Sequence, residues 1–400
     1  MKPLKSLISL NEALSIIFDS INAIERTCEI SINDALGRVI AEEVIANIIV
    51  PAFNRAAMDG YAVIAENTYN SNSTKLMIID KIDAGSISSK ILGMGECIQV
   101  STGCKMPEGS DAVIMVENTE LIDERTVNIL KPTYPTQNVV KKGEDINQKD
   151  ILLKKGAVLN PGKIGVLAAI GKETIIVYDK PKIAVISTGN EVVKLGEILK
   201  DGFVYDINSY TLSAIIKENG GEPIRFDIIR DEYDEIKNAI EKSLECDLAV
   251  FSGGSSAGEK DILCDVISEM GVVLFHGVQI KPGKPTLFGI VKGTLPILVM
   301  PGYPAAALSN GYRFLSPIIR VLGRLGEKKS IKIKAKMGKQ IRSTIGRSQF
   351  LTIRLEKGYA YPTFKASSAI TSMSNAIGYI EIPVGTEIIE KDELVEVILI

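Results

Sequence analysis

The chain has 400 residues, 46% of them hydrophobic and 24% charged, with a net charge of -3. That length exceeds what one core organises, and that balance excludes a disordered, collagen-like or strongly basic nucleic-acid-binding chain. Five cysteines without a C-x-x-C pair, and a single histidine, argue against zinc held by Cys and His and fit a reducing, intracellular setting.

The first stretch, "MKPLKSLISLNEALSIIF", carries Glu12 in its middle and no small-residue cleavage pattern, so it reads as a helix rather than a signal peptide. No run of about 18 uncharged apolar residues occurs, so no membrane span is expected and a cytoplasmic location is. From residue 50 to 138, short alternating runs such as "KLMIIDKI" and "DAVIMVENTE" predict an inserted β-rich domain. Residues 1–49 and 139–178 flank it as an elongated, mixed N-terminal domain, with "GKIGVLAAIG" a short helix closed by Gly171. Over 179–326 strands alternate with helices. "KIAVIST", "PIRFDII", "DLAVFSG" and "PILVMPG" read as strands. "YTLSAIIKEN", "DEYDEIKNAIEKSLE" with Asp231 as N-cap, Asp261–Met270 and about Pro304–Leu322 read as helices. This predicts a parallel-sheet, three-layer α/β domain. Residues 327–400 return to short strands, a C-terminal β domain.

Parallel α/β sheets bind ligands beyond the carboxyl ends of their strands, which groups "STGNE", "IIRDE", "SGGSSAGEKD" and "MPGYPAAA" at one rim. In "SGGSSAGEKD", Gly253, Gly254 and Gly258 bare the backbone for a phosphate, Ser255 and Ser256 can donate hydrogen bonds, and a helix N-terminus follows. The plainer alternative is a glycine turn with Asp261 capping the helix. Glu191 and Asp231 end two further strands, and Lys281 and Lys284 follow in "IKPGKP". Acids at three strand ends with two lysines suit a phosphate-bearing ligand and a hard divalent cation. "KPGKPT" is no P-loop, because Val278 and Pro285 stand where Gly and Ser or Thr are required, and no G-x-G-x-x-G occurs. Asp59-Gly60, Thr102-Gly103 and Gly143-Glu144-Asp145 repeat a polar residue beside glycine, each a turn on the plain reading. His276, beside "VVLF", reads as a hydrogen-bonded core or edge residue, and the cysteines as small buried hydrophobes.

Seven segments in order, "FNRAAMDGYA", "STGCKMPEGSDAV", "KKGEDI", "ISTGNEV", "SGGSSAGEKD", "IKPGKP" and "PGYPAAAL", resemble the MoeA/gephyrin family of molybdopterin molybdenumtransferases across essentially the whole chain. The resemblance implies four domains, the central one similar to molybdopterin-adenylating proteins, and a homodimer with such an adenylating protein as upstream partner. It implies that adenylylated molybdopterin and molybdate yield molybdenum cofactor and AMP, with Mg2+ required. It assigns catalytic roles to Asp59, Thr102, Asp145, Glu191, Asp231, Asp261, Lys281 and Lys284. Ligand contacts fall on Gly189, Ser252, Gly253, Gly254, Ser256, Pro301, Gly302, Pro304, Arg347 and Ser368, and Mg2+ on Glu191, Asp231 and Asp261. Asn54, Val140, Tyr303 and Ala306 depart from the family pattern, which keeps tungstate as an alternative anion. A non-catalytic molybdopterin-binding scaffold is the alternative of another class.

Overall fold

The structure, a computed structural model, describes residues 7–69, 74–253 and 261–400. The chain divides into two compact units, one of Met1–Cys28, Gly37–Val39 and Val177–Ile400, the other of Glu29–Leu36 and Ile40–Ile176.

The first unit is organised by a six-stranded sheet in the order Glu222–Arg225, Lys182–Ser187, Leu248–Ser252, Leu295–Met300, Leu287–Val291, Gly271–His276. The first four strands run parallel, with Ile183 opposite Leu248 and Val250 opposite Leu298. The last two complete the parallel sheet as an antiparallel edge. Turn chemistry accounts for that edge: Lys292 and Gly293 both have positive φ, 49° and 70°. A tight turn of that hand joins antiparallel neighbours, and it is too short for a crossover helix.

Alternation along the strands feeds two cores. Ile183, Val185, Val250 and Leu298 face helices Asn208–Glu218 and Ser316–Leu322. Ala184, Ile186, Phe251 and Val299 face helices Tyr233–Lys242 and Ile262–Met270. The helix Leu10–Ser20, expected within the N-terminal domain, instead packs Ala13 and Ile17 into the first of these cores. Its Ser9 hydroxyl caps it by accepting the Glu12 N–H at 3.1 Å.

The single helix expected from Pro304 to Leu322 is helical throughout but changes pitch. Pro304–Asn310 and Ser316–Leu322 are α, and Gly311–Leu315 between them is a π-helical turn. Pro317 has no N–H to donate to Arg313, so the regular ladder cannot run through this point, and a wider turn takes up the difference.

In the C-terminal part, strands Lys332–Met337, Ser348–Glu356, Tyr359–Pro362, Gly378–Ile382 and Leu394–Leu399 close into a ring around Met337, Ile353, Ala360, Ile382 and Val397. The short strand Ile280–Lys281 leaves the α/β layer and pairs in parallel with Ser348–Gln349 of that barrel. Nearby, Arg313, its side chain 2% exposed, pairs with Glu381 Oε1 at 2.7 Å, and the Ser348 hydroxyl donates to the same oxygen at 3.1 Å.

The second unit holds a separate six-stranded sheet in the order Ala112–Met115, Gly60–Val63, Glu96–Val100, Thr74–Ile82, Thr126–Ile129, Thr119–Asp123. The helix Pro161–Ala169 of this unit is capped by Asn160, and Gly171, at φ 72°, ends it. Among the described residues, no helix is long and apolar enough to cross a membrane.

Candidate active site

Strands Lys182–Ser187, Leu248–Ser252 and Leu295–Met300 deliver Thr188, Gly253 and Pro301-Gly302 to one end of the sheet, where a cavity of about 670 Å³ opens. Of the residues expected at the site, Glu191, Asp231, Ser252, Gly253, Pro301, Gly302, Pro304 and Ser368 line it. Ser368 arrives from the C-terminal part, where the neighbouring Ser367 carbonyl accepts the Ala305 N–H at 2.9 Å. Gly189 stays in the frame behind the wall, its N–H donating to the Ile229 carbonyl at 3.2 Å. Gly254 and Ser256 lie outside the described residues.

Two cavity residues without a sequence signal of their own are Asp206 and Asn208. The Asn208 amide donates to Ser252 Oγ at 2.6 Å and to the Gly302 carbonyl at 2.8 Å, which ties two strand ends together. Asp206 accepts the Ser187 hydroxyl at 2.8 Å and the Ser209 N–H at 3.0 Å. Only their position just after a short strand, in "VYDINS", could have drawn notice to them.

Three buried atoms in this wall have no hydrogen-bond partner among the described residues: Thr188 Oγ1, Asn208 Oδ1 and Asp231 Oδ1. Buried polar atoms are satisfied almost everywhere in folded proteins, and leaving one unmet costs about 1–3 kcal/mol. Three around one cavity therefore mark the place of a polar ligand. Asp231 is not the helix cap expected from the sequence. Glu232 occupies the cap position of Tyr233–Lys242 without a side-chain bond, and the Asp231 carboxylate is left facing the cavity.

Gly253 has φ 112°, and a Cβ there would meet the Thr188 carbonyl oxygen at 2.1 Å. The site thus needs glycine for both its conformation and its clearance.

Asp261 does cap its helix, accepting the Cys264 N–H at 3.1 Å. Its other oxygen meets His276 Nε2 at 3.2 Å. His276, the last residue of the edge strand Gly271–His276, is thus the hydrogen-bonded edge residue expected from the sequence. The Asp261 carboxylate, and the Cys264 side chain after it, push its pKa up to about 9, against the opposing effect of burial. Asp261 itself is not among the cavity-lining residues, whereas the next two, Ile262 and Leu263, are.

Lys281, Lys284 and Arg347 are likewise not among the residues lining the cavity. Lys281 Nζ donates to Thr344 Oγ1 at 2.5 Å, and Lys281 stands in register with Gln349, which brings "KPGKP" beside the segment carrying Arg347. Gly283, at φ 99°, lies against Asn310, whose amide would be 2.4 Å from an added Cβ. That fully buried amide donates to Thr286 Oγ1 at 2.6 Å, and Thr286 donates to the Gly283 carbonyl at 2.7 Å, so the lysine-bearing turn is pinned from beneath.

In the second unit, Asp59 Oδ1 accepts both the N–H and the hydroxyl of Thr102, at 2.6 and 3.0 Å, and these bonds hold its pKa below the usual value. Asp145 stands exposed beside Val50, whose carbonyl accepts the Asp145 N–H at 3.1 Å. Asn54, a departure from the family pattern, accepts the Lys142 N–H through Oδ1 at 2.8 Å, a role an aspartate oxygen could fill equally.

Among the described residues, no three His, Cys, Asp or Glu side chains form a group able to hold a metal ion. Of the three acids expected to meet magnesium, Glu191 and Asp231 line the cavity, whereas Asp261 contacts Cys264 and His276 and is not among the lining residues. Magnesium commonly uses one or two carboxylates, with phosphate oxygens and waters filling the rest.

Three family models match the chain: the MoeA N-terminal region (domain I and II) over residues 8–171, "Probable molybdopterin binding domain" over 184–321, and the MoeA C-terminal region (domain IV) over 334–400. A molybdopterin biosynthesis protein of Methanocaldococcus jannaschii is 35% identical over 100% of both chains. The molybdopterin molybdenumtransferase of Haemophilus influenzae is 32% identical over 89% of this chain and 86% of its own. A crystal structure of a molybdopterin biosynthesis MoeA protein from Pyrococcus horikoshii superposes with a TM-score of 0.83 at 40% identity, covering 98% of this chain and 99% of that one.

Proposed function

The chain belongs to the MoeA family of molybdopterin molybdenumtransferases, enzymes of molybdenum cofactor biosynthesis, and we propose that its α/β cavity is where adenylylated molybdopterin gives up AMP as molybdate is inserted. The observation that carries this reading is the trio of unpartnered buried atoms, Thr188 Oγ1, Asn208 Oδ1 and Asp231 Oδ1, in the wall of a cavity at the strand ends. The cavity is large enough for a substantial part of a nucleotide-sized ligand.

In this reading Gly253 lets the ligand's phosphates come close to backbone, and Thr188 and Asn208 orient them by hydrogen bonds. Asp231 accepts an N–H of the ligand. Lys281 and Lys284 draw in the molybdate oxyanion and stabilise charge that develops on it, with Arg347 and Ser368 as the C-terminal contribution. A magnesium ion bound with the substrate would neutralise the anhydride charge, and Glu191 and Asp231 would be the side chains to hold it. Asp59, Thr102 and Asp145 belong to the same reading as residues of the second unit. So does a cytoplasmic homodimer supplied by an adenylating protein, which family membership supports.

The test is AMP release from adenylylated molybdopterin in the presence of magnesium and molybdate. The Asp231→Ala variant is expected to lose roughly 100-fold in kcat. A rate unchanged in that variant sinks the assignment. Ligand binding with no AMP release in the wild type favours the scaffold alternative. Tungstate outcompeting molybdate at equal concentration would reassign the anion.

A further inference from the structure

His276 ends the edge strand Gly271–His276, and Asp261 immediately precedes the helix Ile262–Met270. Strand and helix share one core, through Val273 on the first and Val266 and Ile267 on the second. Where they meet, His276 Nε2 stands 3.2 Å from Asp261 Oδ2, with 22% and 18% of the two side chains exposed. The opposite oxygen of that carboxylate accepts the Cys264 N–H at 3.1 Å. Each oxygen is therefore held from a different element, one by the sheet and one by the helix itself. A cap alone would leave the carboxylate free to swing about its terminal torsion, and the imidazole removes that freedom.

The next two residues, Ile262 and Leu263, line the cavity. Their placement depends on where the first turn of the helix begins, and that turn is capped by one oxygen of the carboxylate whose other oxygen His276 holds. The arrangement links a sheet edge to one wall of the site through two side chains. An imidazole serving only to fill space has no need of a carboxylate at this joint.

We propose that His276 is a positioning residue of the transferase reaction, acting through Asp261 to fix the helix start that carries Ile262 and Leu263 into the cavity wall. The inference rests on the reading of the cavity given above. It requires that loss of His276 act on turnover, and that it do so only while Asp261 is present.

The full-length protein is assayed for AMP release from adenylylated molybdopterin with magnesium and molybdate as wild type, His276→Ala, His276→Gln, Asp261→Ala and the double variant, each with a thermal melt. His276→Ala is expected to lower kcat about tenfold or more, with KM within about threefold, because a displaced wall penalises the reacting geometry. The amide of His276→Gln, which can still donate to the carboxylate, is expected to restore most of the rate. In the double variant, the loss is expected to equal that of Asp261→Ala alone, since the two residues act as one unit. A kcat for His276→Ala within about twofold of wild type, no recovery in His276→Gln, or losses that multiply in the double variant would each overturn the proposal. Because the chain has one histidine, its imidazole resonance supplies a second readout that does not need activity. Adenylylated molybdopterin is expected to shift that resonance in the wild type and not in Asp261→Ala. If the wild type releases no AMP, the functional reading fails on its own, and an imidazole signal indifferent to ligand then overturns the positioning role as well.

Discussion

Gly253 and Gly302 lie almost in contact, a Cβ on Gly302 falling 3.4 Å from the Gly253 Cα, yet they should respond to substitution very differently. Gly253→Ala forces an L-residue to φ 112° and drives its methyl to 2.1 Å from the Thr188 carbonyl oxygen. Strain of that backbone kind costs about 1–3 kcal/mol before the collision is counted. Gly302→Ala meets nothing nearer than ordinary van der Waals contact and has no positive φ. Urea denaturation should show Gly253→Ala destabilised by at least about 2 kcal/mol, with Gly302→Ala within about 1 kcal/mol of wild type. Equal losses in the two variants would mean that the strand end is free to move and that Gly253 is there for some other reason.

At the level of elements, the strand–helix joint through His276 and Asp261 has a pH signature. The folded-state pKa of His276 is raised from 6.5 to about 9, chiefly by Asp261. A raised value means that the stabilisation is complete below 6.5 and disappears as pH climbs through about 9. The increment is at most about 3 kcal/mol. Urea midpoints measured between about pH 6 and pH 10 should fall in the wild type by more than in Asp261→Asn, and parallel curves for the two proteins would dispose of the coupling. This joint was also illegible in the sequence. The partners are separated by a whole helix, and the rules for helix caps explain Asp261 without reference to any histidine. Other elements were legible for a clear reason: "KIAVIS", "LAVFS" and "LPILVM" are apolar runs buried on both faces, which only central strands of a layered sheet need to be. The antiparallel edge was less so, because Leu287–Val291 is buried on both faces like the central strands, and such strands read alike whichever way they run. The π-helical turn and the packing of Leu10–Ser20 on the α/β sheet depend on tertiary fit, which periodicity does not report. Among site residues, glycines and acids at strand ends could be read from spacing. Asp206 and Asn208 could not, since their partners are other strand ends distant in sequence.

On the scale of the whole first unit, the α/β layer and the C-terminal barrel share a buried charge. Arg313 keeps only 2% of its side chain exposed and depends on Glu381, while its Nε and Nη1 have no hydrogen-bond partner among the described residues. The ring of Phe350 lies under its guanidinium at 5.2 Å and stacks on Tyr379 at 4.0 Å. Removing one member of a buried ion pair leaves the other desolvated, at a cost of about 3–5 kcal/mol. Glu381→Ala should therefore lower stability by an amount in that range, and chemical denaturation followed by tyrosine fluorescence checks it; a change under about 1 kcal/mol would show that Arg313 is indifferent to its partner. The short strand Ile280–Lys281 gives this shared architecture its chemical meaning. One of the two lysines assigned to the oxyanion hangs on a splice between two folds, so the barrel is a jig against which the lysine is set. Cutting the chain after Leu322 would leave the α/β layer its own strands and helices and take away the hydroxyl of Thr344 that Lys281 holds. On the proposed reading, a shortened protein of that kind would keep a vessel for the pterin nucleotide while losing its gauge for the anion, and the two halves of the substrate pair would no longer be measured against each other.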